Sequence, residues 1–217
     1  MKSPLRIRLV LLLQILSLVL SVVPASASTL YSNGPVKGNV DGWAINFGFT
    51  VSDSFLLTSH STVQGFDFAA WTLAGDEPRS VDWSLTSSAN GGTVYESGTA
   101  NLTTQYLFTN GYGFNVDEES VSGLNLPLTA GGYWLKLQNA VTQQGDPLYW
   151  DENSGSGCSS PGCPSLASEN SLGTIPSESF NIMGTQAGSS PEPSSLMLVG
   201  SGIIGLTGLI RRRRLRD

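Results

Sequence analysis

Apolar and polar side chains alternate with a period of two through much of residues 28–188. In residues 133–138, for example, tyrosine and two leucines alternate with tryptophan, lysine and glutamine. Residues 43–51, 66–70 and 81–86 repeat the pattern with many aromatic and β-branched side chains. Because successive side chains of a strand point to opposite faces, the pattern predicts half-buried β-strands, with Trp43 and Trp83 in the core. Helical spacing is absent from this region of the sequence.

Turn-forming residues separate these stretches. Asn90-Gly91-Gly92 stands between residues 81–86 and 93–96 and is typical of a β-hairpin turn. Nine to eleven short strands at this spacing predict an all-β fold, an antiparallel β-sandwich of jelly-roll-like type, with one sheet closed on itself as the alternative. Residues 155–179, rich in serine, glycine and proline, are predicted to form a long loop before a last strand at residues 178–183.

The first 27 residues have a different pattern. Three basic residues precede a mostly apolar run at residues 9–23, and Ala25-Ser26-Ala27 follows it. A basic start, an apolar centre and small residues at a cleavage position are typical of a secretory signal peptide. We therefore predict that residues 1–27 direct export and that residues 28–188 form the extracytoplasmic domain.

The last 29 residues contain three successive pieces: a Pro-Glu-Pro motif, an uncharged apolar run at residues 196–210, and a basic cluster at residues 211–216. The run can enter a bilayer because it is apolar and uncharged, and the arginines would stay on the cytoplasmic side. As a helix it would span about 22 Å, short of the roughly 30 Å hydrocarbon core, which argues against a permanent anchor. An ordinary membrane anchor is one interpretation. The residues of the motif and of the basic cluster are Pro191, Glu192, Pro193, Arg211, Arg212, Arg213 and Arg214.

This order of pieces resembles the PEP-CTERM sorting signal of Gram-negative bacteria. The resemblance implies that an exosortase, a membrane protease-transpeptidase, recognises the Pro-Glu-Pro motif and processes residues 189–217. It implies a protein held in the membrane by its C-terminal helix and then displayed on the cell surface or released. Residues 52–55, 66–71, 81–85, 128–135, 149–153 and 175–180 are also similar to uncharacterised domains of PEP-CTERM proteins, which implies one folded unit and brings no catalytic residues.

Charge narrows the range of partners. Of the 11 lysines and arginines, only Lys37, Arg79 and Lys136 lie between residues 28 and 188, whereas 15 of the 17 acidic residues do. The region therefore has a formal charge of −12. Nucleic acid and anionic lipid surfaces both require a basic face, so this charge argues against either as a ligand of the domain.

The two cysteines, Cys158 and Cys163, flank the sequence Ser-Ser-Pro-Gly, which favours a turn. An exported protein meets an oxidising compartment, so the sequence predicts a disulfide between them. Zinc needs three or four protein ligands, and His60 is the only histidine of the chain, so a zinc site is not expected.

Catalytic motifs are absent from residues 28–188. His60 lies in a polar stretch typical of a surface turn. The adjacent carboxylates at residues 76–77, 117–119 and 151–152 are interpreted as solvated, because neighbours on a strand point to opposite faces. We therefore predict no catalytic residues and no enzymatic activity; an unrecognised hydrolase is the most distant of three hypotheses.

Two kinds of ligand remain open. Carboxylate and amide oxygens suit calcium, so the cluster formed by Asp146, Asp151, Glu152 and Asn153, or residues 117–119, could hold this ion; no other cofactor is predicted. A sugar needs a flat apolar ring beside hydrogen-bonding groups, a combination offered by Trp134, Trp150, Asp151 and Asn153. Packing of both tryptophans in the core or beneath loops is the competing interpretation.

These observations favour an exported β-sandwich protein. The family context implies a structural or adhesive role in an exopolysaccharide matrix or biofilm. The alternative is a lectin-like carbohydrate-binding module.

Overall fold

The computed structural model describes residues 27–187, which form thirteen β-strands and no helix. Consequently, these residues include no helix that could cross a membrane. The predicted signal peptide and the C-terminal sorting tail lie outside the described residues, apart from Ala27. In chain order, the strands are β1 (Ser28–Ser32), β2 (Gly42–Ala44), β3 (Thr50–Leu57), β4 (Ser61–Leu73), β5 (Pro78–Ser88), β6 (Gly91–Asn101), β7 (Thr103–Thr109), β8 (Phe114–Leu128), β9 (Gly131–Thr142), β10 (Tyr149–Asp151), β11 (Ala167–Glu169), β12 (Gly173–Ile175) and β13 (Phe180–Gln186).

The strands form two antiparallel sheets. In the seven-stranded sheet, β4 pairs along one edge with β8 and along the other with β13 and then β10. Beyond these strands lie β7, β1 and β2, respectively. The six-stranded sheet has the order β12-β11-β3-β9-β5-β6. The predicted antiparallel β-sandwich is confirmed, whereas its jelly-roll-like type stays a prediction.

Aromatic side chains fill the space between the sheets. Trp150 makes edge contacts with Phe68 and Phe180, at ring-centroid distances of 5.9 and 5.7 Å. Phe66 packs in the same way on Trp83 at 5.9 Å, so the predicted core position of Trp83 is confirmed. Edge contacts of this kind add stability beyond the area that the rings bury.

The strand predicted over residues 43–51 is wrong. β2 ends at Ala44, and the chain turns through Phe47 and Gly48, whose φ angles are +56° and +89°. Such angles belong to the left-handed region and do not fit a strand. Trp43 is consequently at the sheet edge, where it packs against the core as predicted but is only half-buried.

The region predicted as a long loop, residues 155–179, also differs. It contains the two short strands β11 and β12, which pair with each other and extend the six-stranded sheet beyond β3. Together with β1, they raise the number of strands above the predicted nine to eleven. The predicted disulfide between Cys158 and Cys163 is confirmed.

Candidate ligand-binding face

A row of aromatic rings lies on the outer face of the seven-stranded sheet. Trp71 follows the core residue Ala70 on β4, so its side chain points away from the core. Its ring stacks on Tyr112 with centroids 5.8 Å apart and lies 5.9 Å from Phe114, which in turn contacts Tyr149 at 5.7 Å. Tyr112 is 65% exposed, whereas Trp71 is buried beneath it. The buried indole therefore supports an exposed phenol ring.

The Asp151 side chain joins the outer face of the sheet to a loop that lies over it. Its carboxylate accepts hydrogen bonds from the backbone N–H groups of Lys37 and Gly38, at 2.9 and 2.8 Å, and from Trp71 Nε1 at 2.7 Å. The first two donors belong to residues 33–41, which cross the outer face and which we call the covering loop. Burial raises the pKa of Asp151, while these hydrogen bonds lower it. One carboxylate thus connects β10, the covering loop and the central ring of the aromatic row.

A polar groove of about 490 Å³ lies on the same face, beside the covering loop. Asp67, Glu118 and Asn181 line it, and Asn181 Nδ2 donates to Asp67 Oδ1 at 2.5 Å. Burial and the charge of Glu118, partly offset by the Asn181 hydrogen bond, raise the pKa of Asp67 to about 6. Gly157, in the disulfide-containing loop, contributes to the wall. Oxygen acceptors thus lie on the same face as the aromatic rings.

Comparison with known proteins identifies the C-terminal end of the chain. Residues 191–214 match the PEP-CTERM protein-sorting motif. The chain carries a PEP-CTERM sorting signal. The match begins at the predicted Pro-Glu-Pro motif and ends at the fourth arginine of the basic cluster, so the resemblance inferred from the sequence is confirmed. None of the curated proteins matches the chain.

The PEP-CTERM motif gives the destination of the β-sandwich. It marks an exported protein that an exosortase sorts, with a C-terminus that anchors it in the membrane before it reaches the cell surface. The aromatic row and the polar groove therefore belong to a domain displayed outside the cytoplasm. The signal peptide and the domain boundaries at residues 27 and 188 stay predictions.

Most of the predicted sugar-binding residues do not lie on this surface. Trp150 is completely buried, and its Nε1 donates to the carbonyl of Ser179 at 2.9 Å. Asn153 is also buried and donates to the carbonyl of Asn33 at 2.7 Å, while Asp151 holds the covering loop. These three side chains have structural contacts and no exposed surface for a sugar. Trp134 lies, half-buried, on the outer face of the six-stranded sheet, where the residues paired with it, Ser54 and Thr86, are not aromatic.

The structure also places several carboxylates in the core that the sequence analysis interpreted as solvated or left unassigned. Asp53 on β3 and Glu178 are completely buried, and Glu178 N donates to Asp53 Oδ2 at 2.7 Å. Burial raises the pKa of Asp53 to about 7, and burial and the nearby Asp53 raise that of Glu178 well above its ordinary range. Within residues 27–187 the only ion pair joins Arg79 to Glu77, so no ion pair offsets this burial.

The prediction that the carboxylates at residues 117–119 are solvated is wrong for Asp117 and Glu119 on β8. They are two residues apart, so both point to the inner face, and both are buried. Glu119 Oε2 accepts a hydrogen bond from the Thr104 hydroxyl at 2.9 Å. Burial nevertheless raises the pKa of Glu119 to about 7, and that of Asp117 is also raised by burial. Period two could have revealed this arrangement, because both residues are in phase with the core residue Val121.

The calcium hypothesis gains no support from the described residues. Between residues 27 and 187 there is no group of three histidine, cysteine, aspartate or glutamate side chains placed to hold a metal ion. Asp151 is occupied by three N–H donors, and Asp146 lies elsewhere, with its carbonyl accepting hydrogen bonds from Asn46 and Thr142. Calcium binding at this cluster therefore stays a prediction without support from these contacts.

Proposed function

We propose that this exported PEP-CTERM protein has an adhesive role, in which the outer face of its seven-stranded sheet binds neutral polysaccharide of the extracellular matrix. The observation that carries the proposal is the stack of the exposed Tyr112 ring on the buried Trp71 ring. A sugar ring binds well to a rigid aromatic face, because stacking requires no reorganisation of the protein.

The polar groove supports the same function. Sugar hydroxyls need hydrogen-bond acceptors and donors, and Asp67, Glu118 and Asn181 supply both. Asp67 lies four residues from Trp71 on β4, about 13 Å along the strand, so successive rings of a polymer could contact both places. The charge of the domain favours a neutral polymer, since 15 acidic residues against three basic ones would repel a polyanion. Tethering by the PEP-CTERM tail would then connect the polymer to the cell envelope.

The test measures binding of purified full-length protein, in detergent, to arrays of neutral and charged polysaccharides. We expect binding to neutral polymers, weakened about tenfold by Tyr112→Ala, because one aromatic stacking contact contributes about 1–1.5 kcal/mol. Tyr106→Ala is the matched control. Tyr106 is 57% exposed, but it pairs with the inward-facing Asp117 and so lies on the other face of the seven-stranded sheet from Tyr112.

An equal loss of polysaccharide affinity in the two tyrosine variants would show that the position of the exposed ring does not matter. It would contradict the proposal that the outer face is the binding site. Absence of binding to every polysaccharide would refute adhesion to polysaccharide. The domain would then have a structural role, with protein partners.

A further inference from the structure

A second pocket, of about 500 Å³, opens at the end of β2, and we call it the end pocket. Four aromatic residues line it: Trp43, Phe47, Phe49 and Tyr149. Glu169 is the only charged residue of the lining. A pocket of this size with mostly apolar walls is typical of a site for a small molecule.

The loop that carries Phe47 exposes this aromatic ring and has a strained backbone. Phe47 is 65% exposed and adopts a φ of +56°, which is costly for a bulky side chain. Asn170 braces this loop, because its Nδ2 donates to the carbonyl of Gly48 at 3.1 Å and its Oδ1 accepts from Thr50 N at 3.0 Å. An exposed ring in a strained and braced conformation indicates a functional position.

Glu169 is a buried carboxylate with one satisfied oxygen and one unsatisfied oxygen. Its Oε2 accepts hydrogen bonds from Ser171 N, Ser171 Oγ and Leu172 N, at 2.9, 2.6 and 2.9 Å. Its Oε1 is buried and has no hydrogen-bond partner among residues 27–187. Such an oxygen is costly to bury alone, and because Glu169 lines the pocket, an occupant with a positive charge would offset part of that cost.

Four classes of ligand can be compared with the walls of the end pocket. A metal ion needs several oxygen ligands, and Glu169 offers only one free oxygen. A primary ammonium has three N–H donors, two of which would face aromatic walls unpaired. A neutral apolar molecule would leave Glu169 without a partner. A methylated ammonium spreads its charge over methyl groups that pack on aromatic faces, where cation–π attraction stabilises it.

We propose that the end pocket binds a methylated ammonium group, with rings of its aromatic lining against the methyl groups and the negative charge of the Glu169 carboxylate close behind the wall. The formal charge of −12 on residues 28–188 attracts such cations from solution. The site differs from the polysaccharide-binding face, although Tyr149 belongs to both.

The experiment follows chemical shifts or tryptophan fluorescence of the full-length protein in non-ionic detergent. The probes are choline, protonated dimethylaminoethanol, ethanolamine, and 3,3-dimethylbutan-1-ol, which is the neutral isostere of choline. We expect saturable binding of the two methylated cations, at least about tenfold tighter than binding of ethanolamine or the neutral isostere. Glycerophosphocholine in place of choline distinguishes a lipid headgroup from a free cation as the natural source.

Two variants test the assigned residues. Glu169→Gln keeps an acceptor for the Ser171 and Leu172 donors but removes the charge, and we expect choline affinity to fall about tenfold. Phe47→Ala changes an exposed side chain and should weaken binding without unfolding the protein. Glu96→Gln, an exposed residue on β6, is the matched control and should bind like the wild type. Equal binding of the neutral isostere, unchanged affinity in Glu169→Gln, or no binding of either methylated cation would overturn the proposal.

Discussion

The buried carboxyl of Asp53 predicts that this domain loses stability as the pH rises. Asp53 is completely buried beside Glu178, and its pKa is about 7 in the folded protein against 3.8 for the free side chain. The folded state therefore keeps a proton that the unfolded chain has released. The stabilisation is fully present below about pH 4 and is lost progressively up to about pH 7, where the folded state also releases the proton.

The magnitude follows from the size of the shift. A difference of about three pKa units corresponds to about 4 kcal/mol in the free energy of unfolding between pH 4 and pH 7. Glu178 and Glu119, whose pKa values are also raised by burial, act in the same direction. A change of this size is a large part of the stability of an ordinary domain.

Urea unfolding at several pH values between 4 and 8, at constant ionic strength, measures this dependence. Asp53→Asn imitates the protonated side chain and keeps an acceptor for Glu178 N, so we expect a flatter pH profile. Asp82→Asn is the matched control, because the pKa of Asp82 is lowered by hydrogen bonds from Thr99 and Asn139. A stability that is constant or increases from pH 4 to pH 7, or an unchanged slope in Asp53→Asn, would refute the reasoning.

Three further predictions concern other parts of the protein. Replacing residues 191–193 by alanine should leave export intact but abolish processing of the tail, which immunoblotting of cell fractions would detect; normal processing would contradict recognition of the motif. Gly65→Ala should destabilise the fold by about 2 kcal/mol, because the added methyl would overlap the backbone of β8, whereas Gly132→Ala, which faces open space, should be close to neutral in the same thermal unfolding assay. Asp151→Asn should speed hydrogen exchange at the two covering-loop amides that it binds, and unchanged exchange would show that the loop is held by other contacts.

The sequence was most informative where one sheet face is buried and the other is open. β9 follows this rule, with Tyr133, Leu135 and Leu137 buried and the intervening side chains half-buried, as predicted. The rule fails where both faces are covered. Trp150 and Asp151 point to opposite faces of β10, yet both are buried, because the covering loop lies over the outer face. A contact between residues more than 100 positions apart leaves no local pattern.

Other parts of the candidate sites could have been found in the sequence. Asp53 is in phase with the core residues Val51 and Phe55, which indicates an inward-facing carboxylate. The break of the strand at Phe47 was harder to predict, since alternation continues through it while the backbone turns. The aromatic row depends on β4, β10 and the β7–β8 hairpin lying side by side, a pairing that spacing alone does not specify.

The position of β13 has a mechanical consequence for a protein that is tethered at its C-terminus. This strand, the last before the tail, is not at the edge of its sheet, because β1 pairs along one side and β4 along the other. Tension between a polymer held on the sheet and the cell envelope would enter the fold through β13. Pulling the strand out would require two hydrogen-bonded ladders to rupture together. The sandwich is therefore built to resist shear at the point where a surface protein is pulled.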